Sequence, residues 1–428
     1  CQGKYGGAAL PVKVEGSRGL KLAFLAKGEH FPAAALNVAD ALSKDNTTSY
    51  AYRVLPDGAW RPVLYRLDAF RYNSRGNGTV STATAYTRVN FFLPADIAAG
   101  ATPTLTLDDL VLYRGDDRTP PEKPAALEAK PGPDGVRLSW EPALDNVAPM
   151  LYVVSRAGPG GAFAKIAETV APRLLDGAAG KGKVRYRVAA VDFEENLGPW
   201  SDAVEVESAA EARPAPPATE EEVDRLAYAA SVRRIHDAGL GQVKRSSVLL
   251  FGDSLTVATV YRQSVEAALG TCDVAAWGAE GQRTSWGRAA IPKAKEVPEY
   301  LCILFGTNDV HGVTLAAKPL DAAIENLEAI VGWAHDHGTV AVLGTIPPRG
   351  FDDPDSAPEK AYDEAVVAAA RRLKVPVAYI FRDLQAAGDR RRLISKDGVH
   401  WTADGMRVAA GAWEKAIDQV RWVLRDRP

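Results

Sequence analysis

The chain has 428 residues, room for two to four domains, and its 46% hydrophobic and 25% charged content is that of an ordinary folded protein. A formal net charge of −3 with no basic run excludes the electrostatic footprint of a nucleic-acid binder. No apolar stretch approaches the ~18 residues of a membrane-crossing helix, and three cysteines are too few for a disulfide framework.

The first two residues are Cys1 and Gln2. Mature bacterial lipoproteins begin with a lipid-bearing cysteine, and this start resembles theirs, without an inner-membrane retention signal at the second position. On that reading the protein is exported, periplasmic or extracellular, with an outer-membrane lipid anchor at Cys1. The alternative is that Cys1 marks only an arbitrary boundary of the sequence.

Residues 1–116 alternate between apolar and polar rather than following a helical period. Leu20–Leu25, Ser49–Val54, Val89–Leu93 and Leu105–Tyr113 read as strands, with turns such as Pro56-Asp57-Gly58 and Arg75-Gly76-Asn77-Gly78 between such segments. Many short strands with regular turns predict a β-sandwich. The last strand, with Asp108 and Asp109, resembles that of jelly-roll carbohydrate-binding modules. A sugar-binding face would use flat apolar rings, for which Trp60, Tyr65, Tyr72 and Tyr86 are the candidates; the competing reading is that they are core. Asp108 or Asp109 is either a ligand of a structural calcium or part of a solvated strand end.

Thr119-Pro120-Pro121-Glu122-Lys123-Pro124 is a stiff boundary. Val136–Trp140, Tyr152–Arg156 and Val184–Val191 follow as strands. Trp140 on an early strand, Tyr186-x-Val188-x-Ala190 on a late one and the closing Gly198-Pro199-Trp200-Ser201 resemble the fibronectin type III domain over residues 120–208. That resemblance implies a second sandwich in which Trp140 and Tyr186 are core and corner residues, and the domain acts as a spacer. Residues 209–218 are an Ala/Pro/Glu-rich linker. Thr219 and Glu222 then form a capping box, and Val223, Leu226, Ala227, Ala230 and Ile235 mark the expected buried face of a helix leading into the last domain, 219–428.

In that domain strands and helices alternate, which predicts a parallel sheet flanked by helices. Val248-Leu249-Leu250-Phe251 is a buried strand running into Gly252-Asp253-Ser254-Leu255, and Leu301–Phe305 is another running into Gly306-Thr307-Asn308-Asp309. Asp273–Trp277 leads to Gly278-Ala279-Glu280-Gly281. Helices are expected over 323–337 and 362–373, and strands over 340–343 and 375–380. Asp397-Gly398-Val399-His400 precedes a final helical pattern. Ligands of open α/β sheets bind beyond the carboxyl ends of the strands, and a serine there at the start of a helix has an exposed hydroxyl beside a dipole that favours negative charge. Cys272 and Cys302 are small core residues, and His335 and His337 belong to a helix end.

Serine, glycine, asparagine, then aspartate and histidine, in that order, resemble the SGNH (GDSL-type) hydrolase family over residues 244–424. The resemblance implies a serine ester hydrolase in which Ser254 is the nucleophile, His400 its base and Asp397 the residue orienting the imidazole. It implies an oxyanion hole from the N–H of Ser254, the N–H of Gly281 and the side chain of Asn308, with Gly278 shaping the turn. Ala276 stands where the family often has an asparagine. Asp253 and His311 are candidate substrate contacts. No zinc spacing and no phosphate-cradling loop is present, and no cofactor is expected for the chemistry. A sandwich that binds glycan ahead of such a domain favours an esterase removing acetyl groups from polysaccharide. Lipid esters or thioesters are the alternative within the enzyme class, and a non-catalytic glycan-binding surface protein is the alternative outside it.

Overall fold

The structure, a computed structural model, describes residues 7–15, 20–29, 33–40, 51–54, 58, 60–66, 85–92, 104–211, 220–269, 272–310, 317–350 and 357–425. It divides into two compact units, Cys1–Pro217 with Arg425–Pro428, and Ala218–Leu424. Cys1, Tyr72 and His311 lie outside the described residues, as does the side chain of Tyr86.

Every named element of the first unit, among the described residues, is a β-strand. Strands β1 (Gly7–Glu15), β2 (Leu20–Glu29), β3 (Ala33–Asp40), β4 (Ala51–Val54), β5 (Trp60–Arg66), β6 (Ala85–Phe92) and β7 (Thr104–Arg114) form two antiparallel sheets, ordered β1-β6-β3-β4 and β5-β2-β7. Strands β8 (Ala125–Gly132), β9 (Gly135–Glu141), β10 (Pro149–Ala157), β11 (Ala164–Thr169), β12 (Arg173–Asp176), β13 (Gly182–Asp192) and β14 (Val204–Ser208) form two more, β11-β10-β13-β14 and β12-β9-β8.

Alternation does not describe β2, in which every residue from Leu20 to Ala26 is buried. The cause lies outside its own sheet: Ala23, Leu25 and Leu64 share one apolar cluster with Met150, Leu151, Val153, Val191 and Phe193 of the later strands. The first and second pairs of sheets are therefore joined by packed side chains as well as by chain. Lys21 is buried among them, its ammonium paired with Asp116 and Glu194. A second cluster holds Trp140, Tyr152 and Tyr186, and the Tyr186 hydroxyl donates to Asp176 at 2.8 Å.

Of the candidate sugar-stacking rings, Tyr65 is 2% exposed and faces the interior, where a sugar cannot reach it. Trp60 is partly buried against the shared cluster. Asp108 and Asp109 are exposed on β7, with Asp108 Oδ1 accepting from the Asp109 N–H at 2.9 Å.

The second unit runs α1 (Glu220–Gly239), β15 (Lys244–Gly252), α2 (Thr259–Leu269), β16 (Asp273–Gly278), α3 (Thr284–Ala290), β17 (Pro298–Leu304) and α4 (Thr307–Val310). It continues with α5 (Ala317–Asp336), β18 (Val340–Gly344), α6 (Ala357–Leu373), β19 (Val377–Ala378), α7 (Ile380–Ala386), α8 (Arg390–Leu393) and α9 (Ala403–Leu424). The five strands form one sheet ordered β16-β15-β17-β18-β19, with every pairing parallel. Strands β17 and β18 are buried at every residue, as central strands under helices must be. The strand order changes direction between β15 and β17. That switch point is where a crevice opens at the carboxyl edge of a doubly wound sheet.

Two local expectations need correction. In α1 the large apolar side chains that are buried are Tyr228, Val232 and Ile235, whereas Val223 and Leu226 are 54% and 74% exposed. The helix is turned by its polar side chains. Asp224 accepts from Arg371 and the Tyr379 hydroxyl, Arg225 donates to Gln419 at 2.7 Å, and Arg233 Nε donates to the Val423 carbonyl. The apolar run at 375–380 gives only a two-residue strand, because Ile380 already begins α7.

Candidate active site

Strand β15 ends at Gly252, where the chain turns sharply. A Cβ on Gly252 would stand 2.1 Å from Thr256 Oγ1 and 2.3 Å from the Leu304 carbonyl, so only glycine fits. The turn is closed by the Thr256 N–H on the Asp253 carbonyl at 3.1 Å. Ser254 lies in this turn and not in a helix, since α2 begins at Thr259. The expected helix N-terminus at the serine is therefore five residues further on.

A loop between α8 and α9 reaches the same edge. It is pinned by an isolated bridge between Ile394 and Trp401 and by the Gly398 N–H on the Ser395 carbonyl at 2.9 Å. Trp401, 3% exposed, packs its ring 4.9 Å from that of Tyr261 on α2. This anchor carries His400 to the turn after β15. His400 Nε2 lies 3.0 Å from Ser254 Oγ, and His400 Nδ1 lies 2.7 Å from Asp397 Oδ2.

The other oxygen of Asp397 accepts from Ser395 Oγ at 2.6 Å and from the N–H groups of Val399 and His400, each at 2.9 Å. Burial pushes this carboxyl up. The Ser395 hydroxyl, the two N–H groups and the imidazole outweigh it and hold Asp397 well below the usual carboxylate range. An ionised Asp397 accepts a proton-bearing Nδ1–H, which leaves Nε2 as the acceptor facing the serine hydroxyl.

Asn308 sits at the first turn of α4, just past β17. Its Nδ2 donates to the Gln282 carbonyl at 2.8 Å and stands 3.5 Å from Asp253 Oδ2. The amide therefore lies between the neighbour of Gly281 and the neighbour of Ser254. Asp309 fixes this arrangement by accepting from the Thr284 N–H at 3.0 Å and the Thr284 hydroxyl at 2.7 Å, tying α3 to α4. Gly281 is exposed in the left-handed region, φ +67°, a conformation that turns its backbone at little cost only in glycine. Gly306, φ +130°, passes so close to Tyr362 that a Cβ would lie 2.2 Å from the ring.

Asp253 does not reach solvent. It is wholly buried, with Oδ1 accepting from the Leu255 N–H at 3.0 Å. A side chain in that position braces the turn, and none of it is exposed where the sequence suggested a substrate contact. Burial pushes its pKa up to about 7, the Leu255 N–H pulls it down, Asp309 adds to the rise and His400 opposes it. Gln282, Thr284 and Asp309 were not singled out by sequence; the one signal available was the aspartate that directly follows Asn308.

This site occupies the part of the chain that resembles known proteins. Residues 250–408 match the GDSL-like Lipase/Acylhydrolase family. The C-terminal unit thus carries a GDSL/SGNH-type hydrolase domain. No curated protein matches the chain. Among solved structures, a lipase/acylhydrolase from Enterococcus faecalis is 20% identical, covers 40% of this chain and 94% of its own, and has a TM-score of 0.35. An acetylxylan esterase from Geobacillus stearothermophilus is 18% identical, covers 41% and 95%, and also scores 0.35. At such identities and scores neither likeness carries an inference about substrate.

Proposed function

We propose that the C-terminal unit is a serine esterase that removes acetyl groups from polysaccharide or other carbohydrate esters. The observation that carries this is the unbroken contact chain Ser254 Oγ, His400 Nε2, His400 Nδ1, Asp397 Oδ2, at 3.0 and 2.7 Å. In this reading Ser254 Oγ attacks the ester carbonyl while His400 Nε2 takes its proton. The imidazolium so formed is stabilised by Asp397 and then returns the proton to the departing alcohol. The oxyanion is held by the N–H groups of Ser254 and Gly281 and by the Asn308 amide. Water, deprotonated by His400, releases the acyl group and restores Ser254.

The small acyl group and sugar alcohol are favoured by the setting of the site. His400 and Asp397 have side chains 46% and 50% exposed, open enough for a bulky polymer to approach. The all-β unit ahead of them fits a glycan-binding module followed by a fibronectin type III-like spacer. Hydrolysis of acetylated xylan, pectin and chitin fragments should be compared with short- and long-chain model esters, using Ser254→Ala as the blank. Acetate release from at least one glycan, well above release from long-chain esters, is the expected result. Activity confined to long-chain esters would overturn the carbohydrate reading.

One observation favours that second reading. Val257 and Val260, directly after the serine turn, are 42% and 50% exposed. Apolar surface beside a nucleophile suits an acyl tail, and the same comparison of substrates separates the two.

A further inference from the structure

Three aspartates from distant parts of the sequence meet in the first unit. Asp117 follows β7, Asp145 lies between β9 and β10, and Asp192 ends β13. One carboxylate oxygen of each lies within 4.8 Å of one from each of the other two. Asp192 is wholly buried.

Their other interactions account for only some of the oxygens. Asp117 Oδ1 accepts from the Thr119 N–H, and Asp145 Oδ2 from the Val147 N–H. Asp192 accepts from the N–H groups of Glu194 and Asn196 and from Asn196 Nδ2. Asp117 Oδ2 and Asp145 Oδ1 are sealed from solvent and accept nothing. Among the described residues no lysine or arginine pairs with any of the three; Lys21, on β2, is committed to Asp116 and Glu194. Carboxylate oxygens sealed from water with neither a counter-charge nor a donor are disfavoured. A bound cation removes that penalty at a stroke.

We propose that Asp117, Asp145 and Asp192 form a structural calcium site that clamps the segment leaving β7 onto the later sheets. Oxygen donors alone, with no histidine or cysteine, select a hard cation. A 4.8 Å limit on the oxygen separations matches one ion bonding all three at about 2.4 Å. Calcium tolerates the irregular geometry of three loop carboxylates, and backbone carbonyls or water complete its shell, whereas magnesium demands a near-ideal octahedron. Asn196 already crosses the same junction, its Nδ2 donating to the Asp117 carbonyl at 3.0 Å. The ion would thus stiffen the join between the two pairs of sheets, at residues distinct from Asp108 and Asp109.

The full-length protein is stripped with a chelator and titrated with calcium by calorimetry, with thermal unfolding followed in parallel. One calcium per chain and a raised unfolding temperature are expected, with magnesium binding at least tenfold more weakly. Asp145→Asn should lose calcium binding while keeping wild-type activity on a soluble ester. In chelator that variant should be at least as stable as wild type, because it relieves repulsion, and in calcium the order should reverse. Asp117→Asn gives the same comparison should Asp145→Asn not fold. No binding by the stripped wild type at millimolar calcium, equal affinity for magnesium, or unchanged binding in both variants would overturn the proposal.

Discussion

His400 Nε2 stands 3.0 Å from Ser254 Oγ although 146 positions separate the two residues. The contact depends on the bridge between Ile394 and Trp401 and on the packing of Trp401 against Tyr261. His400→Ala removes the proton acceptor without touching these anchors. Hydrolysis of a short acyl ester should fall by at least about 10³-fold, close to the loss in Ser254→Ala, because such groups act as a unit. Circular dichroism and the unfolding temperature should stay near wild type, since the imidazole is half exposed.

Asn308→Ala should lower kcat by roughly 10²–10³-fold, the loss expected for one oxyanion donor. KM should change less, because the bond strengthens only as charge develops on the oxygen. An effect confined to KM would place Asn308 in substrate binding instead.

Asp253 makes a prediction about pH. Its folded pKa of about 7 lies above the ordinary 3.8, so the folded chain holds this proton more tightly than the unfolded one. The penalty for ionising it is absent below the ordinary range, grows as pH rises from about 4 to about 7, and stays constant above. Asp253→Asn keeps an acceptor for the Leu255 N–H and removes the charge. Relative to wild type it should gain stability between pH 4 and 8, on the order of 4 kcal/mol at most. Denaturant titrations at the two pH values measure this directly, and a gain that is the same at both would show that Asp253 does not titrate in that window.

Much of the candidate site was legible because its residues sit in short local motifs, two at strand ends and one in the loop between α8 and α9. Gly252-Asp253-Ser254, Gly306-Thr307-Asn308 and Asp397-Gly398-Val399-His400 each combine a turn-forming glycine with the chemical group. Facts that depend on partners distant in sequence were not legible. The pattern of α1 pointed to Val223 and Leu226, but ion pairs and hydrogen bonds of Asp224, Arg225 and Arg233 rotate that face outward. Strand β2 reads as one-sided until Met150 and Val153 are seen to cover its second face. Asp253 reads as a candidate substrate contact because it adjoins Ser254, yet the turn leaves its side chain buried. Asp117, Asp145 and Asp192 share no motif, and only the meeting of strand ends brings them together.

The shared cluster also decides where the chain can be cut. Removing residues 1–116 would strip the cover from Met150, Leu151 and Val153. A cut between Pro217 and Ala218 keeps the whole of the second unit, Ala218–Leu424, and takes from the first only Arg425–Pro428. A fragment of residues 219–428 keeps α1, whose Tyr228, Val232 and Ile235 belong to the core of the C-terminal unit. It should be soluble and retain kcat on a small soluble ester within about threefold of full length, while losing activity on insoluble acetylated polysaccharide through the lost effective concentration. Equal activity of both forms on every polymer would leave the β unit without a binding role.

The proposed mechanism stands on Ser254 as the nucleophile. Treating the full-length protein with a fluorophosphonate and locating the adduct by peptide mass spectrometry tests it most directly, since such reagents phosphonylate an activated serine. One adduct per chain is expected, on the peptide containing Ser254, with parallel loss of esterase activity and no labelling of Ser254→Ala or His400→Ala. An adduct on another residue, or a folded Ser254→Ala that still hydrolyses esters at the wild-type rate, would contradict it.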